Sequence, residues 1–344
     1  MARVGIRDVA KAADVSVTTV SHALSETHQS RVNPETRRHI REVAARLGYA
    51  PNRLASGLRN QRSHLLGLIS DFATSPFAGE MILGAQDAAF ERGWVLMLLD
   101  SGGNPALEER QVSTLRQHQV DGIIYAKMYH QYVQVADKIR GLPAVLLDAV
   151  DAMGTFSSVV PDEAGAARVA VKELTDAGHR RIGFINNAHD IPATAARLQG
   201  FREGLEAAGI EFDAGLVTYE DPAPDGGRNG AQRLLARTER PTALFCFRDP
   251  QAFGAYEAVR ALGLSVPEDI SIVSIDNFEI IAEGLWPKLT SVALPHYDMG
   301  RWAVTRLLDE IEDPERVGPP VQIRYECPII RRGSVAPPRH TRLN

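Results

Sequence analysis

The stretch Ile6-Arg-Asp-Val-Ala-Lys-Ala-Ala-Asp-Val-Ser-Val-Thr-Thr-Val-Ser-His-Ala-Leu24 has the spacing of two short helices joined by one turn. Its apolar positions recur at three- and four-residue intervals, as Ile6, Val9, Ala10 and Ala13 in the first helix and Val20 and Leu24 in the second. Asp14 and Val15 are predicted to turn the chain, and the Ser16 hydroxyl is predicted to cap the second helix. The pattern therefore predicts a packed helical pair.

The outer face of the second helix carries short hydrogen-bonding side chains. With Val20 and Leu24 turned inward, that face presents Thr18, Ser21 and His22, which suit contacts with base edges and phosphates. The spacing alone fits either a helix-turn-helix that reads DNA or an ordinary helical hairpin with a polar surface.

From Asp8 to Ser21 the chain matches the pattern D-V-A-x-x-A-x-V-S-x-x-T-V-S, and so resembles the N-terminal headpiece of LacI/GalR bacterial transcription regulators. It departs at His22, where the family usually has Arg, and at Ser25, where the family often has Asn. Both departures concern which operator is read. The resemblance implies that the following residues bind DNA: Ser16, Val17, Thr18, Thr19, Ser21, His22, Asn52, Leu54 and Ala55.

A third helix is predicted to begin at Asn33-Pro34-Glu35 and to end near Leu47, before Gly48. The next segment, residues 49–58, is too short to be a stable helix alone. In the family it is the hinge helix, in which the residue matching Leu54 wedges between base pairs in the minor groove. The alternative is a solvated linker. At Ser56 the family commonly has Arg, so the resemblance implies one phosphate contact fewer.

Charge is distributed unevenly along the chain. Residues 1–62 contain 11 Lys and Arg against 5 Asp and Glu, a net charge of +6, whereas the remainder has 27 against 38, a net charge of -11. A basic N-terminal part on an acidic body places the contact with a polyanion in the N-terminal part. The overall charge of -5 is thus compatible with a DNA-binding protein.

From Leu65 onward, apolar runs alternate with amphipathic segments. Strands are predicted at residues 65–70, 94–100, 122–126, 144–148, 182–186, 216–219, 243–247 and 270–275. Helices are predicted near residues 77–92, 105–118, 131–140, 163–177, 193–208, 227–237, 250–262 and 297–312. This order predicts an α/β fold of two doubly wound parallel-sheet subdomains with a crevice between the carboxyl ends of their strands.

The resemblance covers nearly the whole chain and implies a core like type I periplasmic binding proteins. The predicted domains are a helix-turn-helix headpiece (1–48), a hinge (49–62), a core (63–333) and a disordered tail (334–344). Within the core, the N-subdomain is assigned residues 63–161 plus 293–323, and the C-subdomain residues 162–292 plus 324–333. The returning segment, with strands within 289–295 and 321–331, is expected to complete both sheets.

Polar residues at predicted strand ends are the candidates for ligand binding. Asp148 and Asp276 each follow an apolar strand, and Arg248-Asp249 follow another, where the family commonly has Asn-Asp. The resemblance assigns effector binding to these four residues and to Arg197; their alternatives are turn or cap roles and, for Arg197, a solvated helix face. Phe72 and Phe77 are placed to stack on a sugar, although core packing of at least one is equally consistent.

The function predicted is a sequence-specific DNA-binding repressor of the LacI/GalR type, controlled by a small molecule, with a sugar favoured over a nucleobase or an acidic sugar. A stand-alone small-molecule binding protein and an enzyme are the competing classes. The chain lacks the motifs G-x-x-x-x-G-K-[ST], G-x-G-x-x-G, H-E-x-x-H and G-x-S-x-G, which disfavours catalysis, and no metal or cofactor is expected. The effector's identity and the sign of its effect stay open.

The expected partners are a pseudo-palindromic operator in double-stranded DNA and a second copy of the chain, with a tetramer left open. One reading helix contacts too few bases for useful specificity, which is the reason to expect a dimer. Cys246 and Cys327 lie in apolar runs that predict strands and buried thiols. With no apolar leader and no run long enough to span a bilayer, a cytoplasmic protein without membrane contact is expected.

Overall fold

The computed structural model describes residues 4–24, 32–49, 62–75, 77–135, 137 and 139–339. The chain divides into two compact units, Met1–Ser63 and His64–Asn344. The described helices of the first unit are α1 Ile6–Ala12, α2 Val17–Leu24 and α3 Pro34–Arg46. The second unit contains two six-stranded sheets and the helices that cover them.

The helix-turn-helix predicted for the first unit is confirmed. Val9, Val20 and Ile40 are fully buried in one small core, so all three helices contribute to it. Asp14 takes a left-handed conformation in the turn, with φ 53°. The Ser16 hydroxyl accepts a hydrogen bond from the Thr19 N–H at 3.0 Å, the capping interaction that the sequence predicts.

The second unit has the predicted α/β architecture. Its strands are β1 Leu65–Ser70, β2 Val95–Asp100, β3 Gly122–Val133, β4 Ala144–Asp151, β5 Ser157–Pro161, β6 Ile182–Asn187, β7 Val217–Glu220, β8 Ala243–Cys246, β9 Ser271–Asp276, β10 Thr290–Ala293, β11 Gln322–Tyr325 and β12 Ile329–Ile330. Its helices are α4 Ala78–Glu91, α5 Pro105–Gln117, α6 Glu163–Asp176, α7 Pro192–Ala207, α8 Pro224–Leu235, α9 Asp249–Ala261, α10 Glu279–Ala282, α11 His296–Glu312 and α12 Pro314–Val317, with a 3-10 turn at Ala214–Leu216.

The first sheet has the strand order β11-β5-β4-β3-β1-β2 and the second the order β12-β10-β9-β8-β6-β7. Neighbouring strands run parallel, except that β12 pairs antiparallel with β10. The chain returns to the first sheet through α11, which buries Met299 and Leu307 in the same core as Leu68, before β11 joins the edge. The returning segment therefore completes both sheets.

Strand β3 is longer than predicted, and the helix predicted at residues 131–140 is wrong over the end of that strand. Gln131, Tyr132 and Val133 pair with residues 149–151 of β4, after a shift of register that follows Ala126. Pairing with the buried strand β4 satisfies backbone groups that a short surface helix would otherwise have to satisfy alone. Strand β4 likewise continues to Asp151 instead of ending at Asp148, and β5 was not predicted.

The tail is ordered as far as Arg339, contrary to the prediction of disorder from residue 334. Ser334 is fully buried, where its hydroxyl donates to the Ile272 carbonyl at 2.6 Å and accepts from the Thr290 N–H. Hydrogen bonds of this kind hold a polar segment in place without an apolar pattern, so composition did not reveal them. Residues 340–344 lie outside the described residues.

Both cysteines are free and buried, as expected. Cys246 ends β8, whereas Cys327 lies in the connection between β11 and β12 and not in a strand. Burial raises the pKa of the Cys246 thiol, as it does that of Cys327. These thiols therefore pack as apolar side chains.

Candidate functional site

A small cavity, partly open to solvent, lies between the carboxyl ends of the two sheets. Five of the seven residues predicted to bind an effector line it: Phe77, Asp148, Arg197, Arg248 and Asp276. Its other lining residues are Met128, Tyr129, Pro161, Glu163, Ala193, Phe247, Leu294 and His296. We refer to this cavity as the crevice.

Asp148 lies where strand β4 is irregular. Its φ of 52° is left-handed. The pairing with β3 shifts register at this residue: Leu147 before it pairs with Ala126, whereas Ala149 after it pairs with Gln131. Backbone N–H groups of Tyr129 and His130 hydrogen-bond to the carboxyl group, yet its buried Oδ1 has no hydrogen-bond partner among the described residues. Burial, with the nearby charge of Glu163, raises the pKa of Asp148 to about 7.

Asp276 ends β9 and, unlike Asp148, is paired. Its Oδ2 accepts a hydrogen bond from Nε of Arg248 at 3.1 Å, and both side chains are about nine-tenths buried. Burial raises the pKa of Asp276, while the charges of Arg248 and Arg197 oppose that rise. Arg248 precedes α9, so the connection after β8 delivers the guanidinium to the carboxyl end of β9.

Arg197 is held equally tightly. Its Nε donates to Glu163 Oε2 at 2.6 Å, its Nη1 donates to the Phe247 carbonyl, and its guanidinium carbon lies 4.1 Å from the centroid of the Phe247 ring. Gly200 allows this pairing, because a Cβ there would lie 2.1 Å from the Ala164 carbonyl oxygen. The close approach of α6 and α7 thus brings Arg197 on α7 within reach of the first residue of α6.

His296 and Glu163 also line the crevice but were not predicted from the sequence. Glu163 follows β5, which the sequence did not reveal, and it has the ordinary appearance of an acid in the first turn of a helix. Burial and the charges of Arg197 and Arg248 lower the pKa of His296 to about 4, so the imidazole is neutral at physiological pH. Only the position of His296 at the start of α11 could have drawn attention to it.

Phe72 and Asp249 are not among the residues that line the crevice. Phe72 packs in the core of the first sheet. Asp249 is fully buried and accepts hydrogen bonds from the Ser274 hydroxyl, from the Ser291 hydroxyl at 2.7 Å and from the Phe278 N–H at 2.6 Å. Burial, followed by the charge of Asp276, raises the pKa of Asp249. These hydrogen bonds hold the connection that follows β9 in place.

The charges of the crevice form two ion pairs and one additional carboxyl group. Arg197 pairs with Glu163 and Arg248 with Asp276, whereas Asp148 has no cationic partner among the described ion pairs. An unpaired carboxylate is costly to bury, and it accepts hydrogen bonds strongly. The arrangement thus suits a ligand that donates hydrogen bonds and carries no negative charge.

The predicted DNA-reading face belongs to the headpiece. Val17 and Thr18 are exposed on α2, Thr19, Ser21 and His22 are partly exposed, and the Thr19 hydroxyl lies 2.8 Å from the Ser16 hydroxyl. The other predicted DNA-contacting residues, Asn52, Leu54 and Ala55, lie outside the described residues, as do Ser25 and Ser56.

Across the described part of the chain, no group of three or more His, Cys, Asp or Glu side chains could hold a metal ion. Nor does any helix in that part have the length and apolar character needed to cross a bilayer.

A helix-turn-helix unit joined to a doubly wound core with a polar crevice defines the class of ligand-controlled transcription regulators. Residues 5–52 match the family described as bacterial regulatory proteins, lacI family, and residues 171–335 match the periplasmic binding protein-like domain. The ribose operon repressor of Haemophilus influenzae is 30% identical over 90% of this chain and 92% of its own. The transcriptional repressor PurR of Escherichia fergusonii is 32% identical over 96% of each chain.

The chain belongs to the lacI family of bacterial regulatory proteins, and it is a DNA-binding transcriptional regulator with a ligand-binding core. A solved structure, the complex of the transcriptional regulator CelR with cellobiose, is similar over 96% of this chain and 100% of that one, with a TM-score of 0.67 and 31% identity. The resemblance seen in the headpiece sequence is thereby confirmed.

Proposed function

We propose that this protein is a repressor whose operator affinity is controlled by a small neutral sugar bound in the crevice. The observation that carries this proposal is the state of the charges: both guanidiniums are paired with carboxylates, and the buried Oδ1 of Asp148 accepts no hydrogen bond from any residue that the structure describes. A sugar hydroxyl that donates to Oδ1 would satisfy it.

An acidic sugar is disfavoured by the same pairing. Arg248 replaces an amide that is common in the family, and an unpaired guanidinium there would suit a carboxylate or phosphate. Asp276 already accepts from its Nε at 3.1 Å. A ligand anion would have to displace that pair to bind the Arg248 guanidinium.

A nucleobase is the second candidate, because three aromatic rings line the crevice: Phe77, Tyr129 and Phe247. A base stacks on the free face of a ring. The Arg197 guanidinium lies over Phe247 at 4.1 Å and that of Arg248 over Phe77 at 4.5 Å, measured to the ring centroids, so each of these rings already has a cation on one face. The rings are therefore less suited to a sandwich around a base.

A thermal-shift panel on the full chain tests the effector class. Ribose, cellobiose, glucuronate and adenosine serve as probes, because a ligand at a hundredfold excess over its Kd stabilises the folded state by about 2.7 kcal/mol. We expect a neutral sugar to raise the melting temperature and Asp148→Asn or Arg197→Ala to remove that shift. A panel in which glucuronate or adenosine alone stabilised the protein would contradict the proposal.

For DNA we propose that a homodimer reads a pseudo-palindromic operator through Ser16, which precedes α2, and through Val17, Thr18, Thr19, Ser21 and His22 of α2, with Asn52, Leu54 and Ala55 contacting the minor groove or backbone. His22→Ala should relax preference at one symmetric pair of positions at a cost of about 1 to 3 kcal/mol per half-site. Selection from a randomised operator library measures this. An unchanged preference would remove His22 from base recognition. Leu54→Ala should reduce DNA bending in a phasing assay.

The proposed dimer is supported by apolar side chains at the edge of the first sheet. Val95 and Leu98 on β2 are 47% and 41% exposed, and Leu83 on the neighbouring α4 is 46% exposed. An exposed edge strand with apolar side chains is a ready surface for a second copy. Leu98→Glu should shift the sedimentation coefficient of the full chain towards that of a monomer, whereas Phe253→Glu, on α9, serves as the matched control.

A further inference from the structure

Arg248 makes contacts across the crevice in addition to its pair with Asp276. It follows β8 of the second sheet, whereas Phe77 and Tyr129 belong to the side of the first sheet. The guanidinium carbon lies 4.5 Å from the centroid of the Phe77 ring and 5.7 Å from that of Tyr129. Its Nη1 lies 3.4 Å from the Tyr129 hydroxyl. One side chain thus connects the two halves of the core.

A second contact across the crevice joins the same ring. Phe278, which follows β9, has its ring centroid 5.2 Å from that of Phe77. Its backbone N–H donates to Oδ2 of Asp249 at 2.6 Å, and the other oxygen of Asp249 accepts from Ser274 and Ser291. Phe77, on the side of the first sheet, therefore contacts two side chains from the other half of the core. These are the Arg248 guanidinium and the ring of Phe278, whose backbone is hydrogen-bonded to Asp249.

Asp276 orients the cation for this role. The pair at 3.1 Å leaves the Arg248 side chain only 10% exposed, in a region of low dielectric where a cation over an aromatic face is attracted most strongly. Asparagine, the residue common in the family at this position, has neither a charge nor the reach to lie over a ring across a cleft.

We propose that Arg248 is a latch that keeps the two halves of the core closed over the crevice. Arg248 is anchored to Asp276 in one half and contacts Phe77 and Tyr129 in the other, so these contacts stabilise the closed arrangement, and separating the halves must break them. The latch therefore sets the fraction of molecules that are open to a ligand, and with it the apparent affinity. The inference concerns closure alone and does not depend on whether the effector is a sugar.

The accessibility of an introduced thiol measures closure. Ala193 is 1% exposed and lines the crevice, so the thiol of Ala193→Cys is shielded when the crevice is closed. The probe is iodoacetamide, a small neutral alkylating reagent, applied to the full chain. The parent chain, whose two cysteines are buried, gives the background rate.

Adding Arg248→Ala to the Ala193→Cys chain should raise the alkylation rate about tenfold, which corresponds to about 1.4 kcal/mol of opening free energy. Arg248→Lys, which keeps the charge beside Asp276 but loses the planar stacking, should give an intermediate rate. Arg228→Ala is the matched control, since Arg228 pairs with Asp225 and Glu257 on the second-sheet side alone, and it should change the rate less than twofold.

Circular dichroism and the melting temperature establish that each variant is folded. Should Arg248→Ala fail to fold, Arg248→Lys decides the question. Alkylation of folded Arg248→Ala or Arg248→Lys at the parent rate would overturn the latch, as would an equal acceleration by Arg228→Ala.

Discussion

Asp148 and Asp276 occupy similar positions in the two halves of the core but differ in their electrostatic state. Each follows an apolar run in a central strand, and each has a positive φ, 52° for Asp148 and 125° for Asp276. Asp276 is paired with Arg248 at 3.1 Å. Asp148 receives backbone N–H groups, and its Oδ1 has no hydrogen-bond partner in the described part of the chain. The same local pattern thus yields one satisfied and one available carboxyl group.

The difference between the two carboxyl groups arises from the groups that neighbouring elements place beside them. The connection after β8 delivers a guanidinium to Asp276, whereas the irregular part of β3 delivers backbone amides to Asp148. A carboxyl group paired with a fixed cation stabilises the closed crevice. A carboxyl group that keeps an oxygen available to accept a hydrogen bond can recognise a ligand. The two halves of the crevice therefore serve different purposes.

The largest expected effect comes from breaking the satisfied pair. Asp276→Ala leaves the buried Arg248 guanidinium without its carboxylate, and the free energy of unfolding should fall by about 3 to 5 kcal/mol. Denaturant unfolding at neutral pH measures it. Asp225→Asn, which affects an exposed pair with Arg228, should cost less than about 1 kcal/mol. Equal losses in the two variants would show that the Asp276 pair is not distinctive.

A smaller effect, dependent on pH, is expected from Asp148→Asn. The pKa of Asp148 is raised from 3.8 to about 7 in the folded state. Its carboxyl group therefore favours the folded state fully below about pH 4, and this contribution is lost as pH rises to about 7. The variant lacks that loss, so its stability relative to the parent should increase by roughly 2 to 4 kcal/mol across this range.

Unfolding of the two chains at pH 4.5, 6 and 8 tests the prediction. Asp249 and Asp276, whose pKa values are also raised, are present in both chains, so the difference reports on Asp148 alone. A difference that stays constant with pH would mean that Asp148 is as well compensated as Asp276, and the comparison between them would fail.

The smallest effect is expected at the boundary between the halves. Tyr129→Phe removes a hydroxyl 3.4 Å from Arg248 and retains the ring, so the free energy of unfolding should change by less than about 1 kcal/mol. The same denaturation experiment measures it. A loss as large as that of Asp276→Ala would assign the closing contact to the hydroxyl instead of to the stacked rings.

Much of the fold could be predicted because its signals are local. The turn at Asp14, the cap at Ser16 and the alternation of strands and helices follow from neighbouring residues. The extension of β3 and the order of the tail at Ser334 could not be predicted, because both depend on partners distant in the sequence. Five candidate crevice residues line one cavity, while Glu163 and His296 were missed, since nothing near them in the sequence marks them.

The sequence by itself determined that a basic helix-turn-helix unit precedes an acidic, doubly wound core, because periodicity, capping and charge are properties of short segments. It also marked Asp148, Arg248 and Asp276 as polar residues at strand ends, while the family resemblance pointed to Arg197 on a helix. Only the tertiary structure decided which of them pair, which one retains an accepting oxygen and which one spans the crevice. Those outcomes depend on distances of a few ångströms between side chains that are far apart in the sequence, such as Arg248 and Phe77, and electrostatic interactions in a buried site change steeply over such distances.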